Sequence, residues 1–371
     1  MRQESEKMEQ KQRNKVRILK FIVSRGSTSR PEIASALHLS VPTTMQHVKE
    51  LLAAGLVTEE GELESNGGRK ARALAIVRDA AFACGVDITK HHICMALVNA
   101  RRELIGHERI RCDFSTDLSY FEALEDRLRD FLSRVCPERE RLAGVGFSLP
   151  GFVDKKRNVL TRSDVLQCYN VSFQELEERL GVPVSVENDA NSAAYAEFRD
   201  RNEEAVYLSL SGTVGGAIYY GESLYEGNHA KSAEFGHMII KKGGRRCYCG
   251  KKGCVDAYCN TDLLQKAGGS LEGFFAGLRV QDPVIMEIWE DYLDNLALTV
   301  GNLRVIFDCD IYLGGYLGGY LEEFLPQLAE RTGGYDRMEP DRSYIRIGRH
   351  KLEAAAYGAA LPFTERFLER A

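Results

Sequence analysis

The chain has 371 residues, 44% of them hydrophobic and 28% charged, with a formal net charge of −5. That length supports two or three domains with full cores, and the balance excludes a disordered or fibrous chain. No stretch reaches the roughly 18 consecutive apolar residues of a membrane span, and the charged opening MRQESEKMEQKQRNKVRILK has no secretory apolar run, so a cytoplasmic protein with no membrane partner is expected.

The charge is uneven. Residues 1–78 hold 14 Lys and Arg against 9 Asp and Glu, whereas the remainder holds 35 against 45. A basic head on an acidic body predicts that only the head meets a polyanion. The reading therefore divides the chain into 1–78 and 79–371.

In the head, Val16, Ile18, Leu19, Ile22 and Val23 recur at helical spacing, and Arg25-Gly26 ends the run. Ser29 is placed as the N-cap of a second helix, with Pro31 in its first turn and Glu32 closing a capping box. Ser40 caps a third helix that buries Val48, Leu51 and Leu52 and closes at Gly55. Three short helices with a tight turn before the third predict a helix-turn-helix. Leu56-Val57-Thr58 and Ala73–Ile76 then flank the polar loop Ser65-Asn66-Gly67-Gly68-Arg69-Lys70, which predicts a wing. Thr43, Thr44, Gln46, His47 and Lys49 on the third helix, with Arg69 and Lys70 on the wing, are the expected contacts to operator DNA. The same fold used only for protein contacts is the competing reading.

From Phe82 onward, β-rich and helical runs alternate. Strands are expected at 83–88, 93–98, 143–149, 182–186, 205–211, 216–220 and 310–315. Helices are expected at 120–135 and 173–180, from Ala190, and over a long stretch at 284–305. The alternation predicts two α/β lobes around mixed sheets with a cleft between them.

Ten cysteines are present, and Cys247, Cys249 and Cys254 crowd together behind His237. Three thiolates and one imidazole complete the closed Cys3His shell of a structural zinc ion, and Gly250 and Gly253 allow the backbone to curl inward. Buried free thiols or a redox pair are the other readings of that spacing.

The segments Phe147–Asp154, Glu187-Asn188-Asp189-Ala190-Asn191, Glu234-Phe235-Gly236-His237 and Cys247–Asp256 resemble those of the ROK family of repressors, open reading frames and sugar kinases. The resemblance runs from about residue 82 to the end, and the winged head is similar to that of the family's repressors. It implies an actin/hexokinase-like, ribonuclease H-like body and a sugar site at Asn188, Asp189, Glu234, His237 and Asp256. His237 would then touch both metal and sugar. Asp256 stands where the family usually has Glu. In the family's kinases Asp189 matches the general base.

Those kinases also carry Asp-x-Gly-Gly-Thr-Lys near the start of the body, whereas this chain has Asp87-Ile88-Thr89-Lys90-His91-His92. Side chains there would crowd backbone donors away from ATP phosphates. The loop Ser211-Gly212-Thr213-Val214-Gly215-Gly216 is one glycine short of the kinase form. The expectation is a sugar-responsive repressor of carbohydrate-metabolism genes, with no enzymatic activity. It would be a homodimer or homotetramer released from its operator by a sugar or sugar derivative. A sugar kinase retaining Asp189, or a constitutive DNA-binding protein with a scaffold body, are the alternatives.

Overall fold

The computed structural model describes residues 2–62, 72–201, 203–221, 223–338 and 340–370. The head opens with α1 (Arg2–Arg25), α2 (Arg30–Ala36) and α3 (Val41–Ala53), followed by the antiparallel pair β1 (Val57–Glu62) and β2 (Arg72–Ile76). Ser29 and Glu32 form the capping box of α2, and the Ser40 hydroxyl accepts from the Thr43 N–H at α3. Ile18, Leu19, Ile22, Ile33, Val48, Leu51 and Leu74 close the core beneath them. Arg69 and Lys70, expected on the wing, lie outside the described residues.

The first lobe is built on β3 (Phe82–Ile88), β4 (His92–Asn99), β5 (Leu104–Arg111), β6 (Leu142–Leu149) and β10 (Val184–Asn188), with α4 (Leu118–Val135) packed on the sheet. Between β6 and β10 the chain adds a small sheet of β7 (Phe152–Asp154), β8 (Val159–Ser163) and β9 (Cys168–Ser172), and the short α5 (Gln174–Leu180). The second lobe follows α6 (Asp189–Phe198). Its sheet holds β11 (Ala205–Leu210), β12 (Val214–Tyr220), β13 (Ser223–Leu224), β14 (Asp310–Gly314) and β15 (Ile345–Ile347). Its helices are α7 (Asp256–Cys259), α8 (Thr261–Gly268), α9 (Leu271–Arg279), α10 (Pro283–Phe307), α11 (Gly318–Leu321) and α12 (Leu325–Thr332), and α13 (Ala354–Arg370) ends the chain.

Both lobes follow one plan. The strand orders β5-β4-β3-β6-β10 and β13-β12-β11-β14-β15 match position by position, with two antiparallel pairings on one side of the first strand and two parallel ones on the other. The paired helices α6 and α13 lie between them. α6 leaves the first lobe and packs on β11 and β12, while α13 leaves the second and packs on β3, β4 and β6. Glycine makes the approach close enough: a Cβ at Gly85 would stand 1.7 Å from the Ala356 carbonyl oxygen, and one at Gly358 1.8 Å from that of Ser192.

α13 also reaches the head. Leu368 is fully buried in the head's core beside Ala81 and Ala100. Lys20 of α1 pairs with Glu369 at 2.7 Å, and the Arg101 guanidinium donates to the Ile76 carbonyl at 2.6 Å. One helix therefore touches the cleft at its start and the helix-turn-helix at its end.

Candidate functional site

The loop after β13 ends in a short turn at Phe235–His237, and the chain returns as a tight knuckle at 246–254. Gly250 and Gly253 take φ of +88° and +84°, and a Cβ at Gly253 would collide with the Lys241 carbonyl at 1.7 Å. Glycine is therefore required for the turn. It brings the ligand atoms of His237, Cys247, Cys249 and Cys254 within 4.8 Å of one another. Cys249 and Cys254 sulfurs lie 3.8 Å apart, and Cys247 Sγ lies 3.8 Å from His237 Nδ1. Tetrahedral Zn–S bonds of about 2.3 Å set sulfurs about 3.8 Å apart, so the donor set fits such an ion in both chemistry and spacing. The four residues form a group able to hold a metal.

His237 turns its other nitrogen away from the thiols. Nε2 lies 3.4 Å from the Tyr248 hydroxyl and 3.9 Å from a Glu234 carboxylate oxygen. Beyond Glu234 opens a cavity of about 290 Å³ between the lobes, lined by Asn188, Asp189, Glu234 and His237. Asn188 ends β10 and caps α6: its Oδ1 accepts from the Asn191 N–H, and its Nδ2 donates to the Gly151 carbonyl, each at 3.1 Å. Asp189 opens α6, and burial raises its carboxyl above the usual range. Partial burial, with the charge of Asp189 nearby, pushes Glu234 up to about 7.

Four of the five expected sugar residues thus line one chamber, and Asp256 does not. Its side chain is buried at the start of α7, where a carboxylate oxygen accepts from the Val214 N–H at 2.8 Å. It lines a second cavity, of about 580 Å³, on the far side of Asp189 and Thr213. The shorter acid pins the 211–216 loop instead of reaching the first chamber. The second cavity also receives Asp87, which accepts from the Ser148 hydroxyl at 3.0 Å and is pushed by burial to about 7.

On the head, the outer face of α3 carries the exposed Gln46 and Lys49 and the half-buried Thr43. Thr44 and His47 face inward, at 1% and 3% exposure. This corrects the expectation that both reach DNA. Positions 44, 47, 48 and 51 form the stripe that packs on the core, and two of its members happen to be polar. Thr44 satisfies its hydroxyl on the Ser40 carbonyl, and burial holds the His47 imidazole below its usual range. Exposed Val41 and Met45 extend the outer face and were missed because apolar side chains read as core.

A winged helix-turn-helix DNA-binding family model matches residues 11–58, and the ROK family model matches residues 83–365. The xylose repressor of Bacillus spizizenii is 27% identical over 321 residues, covering 85% of this chain and 80% of that protein. The dual regulator NagC of Escherichia coli is 25% identical, covering 69% of this chain and 64% of its own length. Among solved structures, a ROK family transcriptional regulator described as a homologue of Escherichia coli Mlc superposes with a TM-score of 0.75 at 20% identity. That match covers 97% of this chain and 96% of the regulator. A ROK family glucokinase from Streptomyces griseus, solved with glucose and AMPPNP, gives 0.63 at 21% identity over 76% of this chain and 99% of its own. The two-lobed body thus has the fold shared by such regulators and kinases, and the chain belongs to the ROK family.

Proposed function

We propose that this chain is a sugar-responsive transcriptional repressor of carbohydrate-metabolism genes, working in the cytoplasm as a homodimer or homotetramer. The observation that carries the reading is α13, which lines the cleft with Ala354 and Ala355 and buries Leu368 in the core of the head. A ligand that closes the lobes on the first cavity moves the seat of that helix. Residues 1–78 serve as the DNA-binding unit and 79–371 as the effector and assembly unit. Operator affinity shifts only as far as the ligand prefers one lobe arrangement over the other.

Asn188, Asp189, Glu234 and His237 offer the carboxylate and amide groups that read sugar hydroxyls. His237, Cys247, Cys249 and Cys254 would hold a structural zinc ion, which supplies a fixed, closed cross-link and no open coordination position. With the metal bound through Nδ1, His237 keeps Nε2 toward the sugar. Thr43, Gln46 and Lys49 meet the operator, joined by Arg69 and Lys70 of the wing.

The competing reading, a sugar kinase, is favoured by Asp189, which stands where a hydroxyl would be deprotonated. Against it stands the β3–β4 turn, where Thr89 closes on His92 through its N–H and hydroxyl at 2.9 and 3.1 Å and presents side chains, not bare backbone donors, to the cleft. Operator DNA selected on the zinc-loaded protein, then challenged with a sugar panel in a mobility-shift assay, tests the reading. Release by one sugar without ATP supports it. Retention against every sugar, together with sugar-dependent ADP formation, would replace it with the kinase.

A further inference from the structure

Once α3 is folded, most of its polar side chains are engaged inside the protein. Thr44 donates to the Ser40 carbonyl at 3.2 Å, and His47 is buried. The Thr43 hydroxyl lies 2.8 Å from that of Ser40, within the helix cap. Gln46 donates its amide to Glu50 at 2.7 Å, and Glu50 is in turn held by Lys15 of α1 at 2.8 Å. This chain of bonds ties Gln46 back to the head and occupies the amide nitrogen that a glutamine needs for bidentate recognition of adenine. Lys49 remains exposed, and its charge attracts the backbone of any sequence alike.

What α3 presents to a groove is apolar. From residue 9 to residue 78 the described head exposes two large hydrophobic side chains, Val41 at 60% and Met45 at 56%. The other large hydrophobics described there are buried or half-buried. Val41 and Met45 stand four residues apart, so they are neighbours on one row of the helix, and Lys49 continues that row. Both lie in the first turn and a half, beside the Ser40 cap, the end at which recognition helices meet base edges. Two apolar tips side by side at that end match a partner that offers methyl groups.

The major groove of DNA has one such feature, the C5-methyl group of thymine; the other edge groups that side chains read there are hydrogen-bond donors and acceptors. Resting on the repressor reading above, we infer that Val41 and Met45 are specificity-determining residues of α3 and that they read thymine methyl groups in the operator. The branched, stiff Val41 fixes one contact, and the flexible, polarisable Met45 adapts to a second. At about 1.5 Å per residue the two lie about 6 Å apart along the helix axis, close enough to reach methyl groups one or two base-pair steps apart. Thr43, Gln46 and Lys49 position the helix on the backbone, and the two apolar tips choose the sequence.

The test starts from operator DNA enriched out of random duplexes on the full-length, zinc-loaded protein. Each thymine is then replaced singly by deoxyuridine, which removes the C5-methyl group and keeps both the base pairing and the hydrogen-bonding pattern of the groove. Affinity is read by fluorescence anisotropy. The inference predicts two thymines in each half-site at which the replacement weakens binding about three- to fivefold, the scale of one buried methyl group. The penalty disappears at one of them in Val41→Ala and at the other in Met45→Ala. It persists in Met45→Leu, which keeps an apolar tip, and in Lys49→Ala, which weakens both duplexes alike. No sensitive thymine, or a penalty that survives in Val41→Ala/Met45→Ala, overturns the inference and leaves the repressor reading standing. If no sequence is enriched at all, the inference and the repressor reading fall together.

Discussion

The two lobes share a strand order, so the turns that join their first two strands can be compared directly. In the second lobe the β11–β12 turn keeps Gly212, and Asp256 anchors Val214 beneath it. In the first lobe the β3–β4 turn is closed by Thr89 and carries Lys90, His91 and His92. His91 is drawn outward to Asp113 at 2.7 Å. A glycine turn recognises phosphate with fixed backbone N–H groups; a side-chain turn recognises charge with movable cations. Under the proposed function, the difference separates a cleft that positions ATP for transfer from one that only binds, so that a general-base candidate such as Asp189 would not by itself make a kinase.

The strongest way to break that contrast is to remove the knuckle supporting one side of both cavities. Chelating the metal, or Cys249→Ser, is expected to unfold the 237–256 segment and to weaken ligand binding by about 100-fold or more, read by calorimetry alongside metal content. Next come the ring contacts. Asp189→Asn and Glu234→Gln should each weaken sugar binding by about 10- to 100-fold, on the scale of hydrogen bonds to charged groups, with the chain still folded by circular dichroism. An unchanged affinity in both would remove the first cavity from the account.

The link to the head is tested at Leu368. Truncation to Ala should cost about 2–4 kcal/mol in chemical denaturation. It should also shrink the ligand-induced change in operator affinity more than it changes operator affinity itself. Full coupling in a destabilised Leu368→Ala protein would show that α13 is not the route.

Asp87 gives a pH signature for the first-lobe turn. The folded chain keeps its proton up to about 7, whereas an unfolded carboxyl releases it near the ordinary 3.8. The folded state binds the proton more tightly, so the group's contribution to stability falls as pH rises between those values and is least favourable above 7. Asp87→Asn should therefore gain on the order of 2–3 kcal/mol relative to the parent on moving from pH 5 to pH 8. A pH-independent difference between the two proteins would contradict the buried setting. The smallest effect is expected on the head: Lys49→Ala should lower affinity for all DNA alike and reduce the slope of log affinity against log salt by about one.

Much of this was legible in the sequence because the signals were local. The capping box at Ser29 and Glu32, the Cys247–Cys254 spacing and the Glu187–Asn191 run each lie within a few residues. What stayed hidden depended on direction or distance. Thr44 and His47 look like a DNA-facing set until the packing stripe of α3 is known. Asp256 sits beside the metal ligands in sequence, yet its carboxylate turns to Val214. The small sheet of β7, β8 and β9 has strands of only three to five residues, too short for alternation to declare. The second cavity draws on positions from 87 to 355, a juxtaposition that only the two-lobed fold creates.

Under the proposed function, ligand in the cleft changes DNA binding without phosphoryl transfer. The most direct measurement follows fluorescence anisotropy of a labelled operator and ADP release in one sample, as the effector sugar is titrated with ATP present. The account predicts at least a tenfold loss of operator affinity with no ADP above background. Stoichiometric ADP formation with operator affinity unchanged would contradict it.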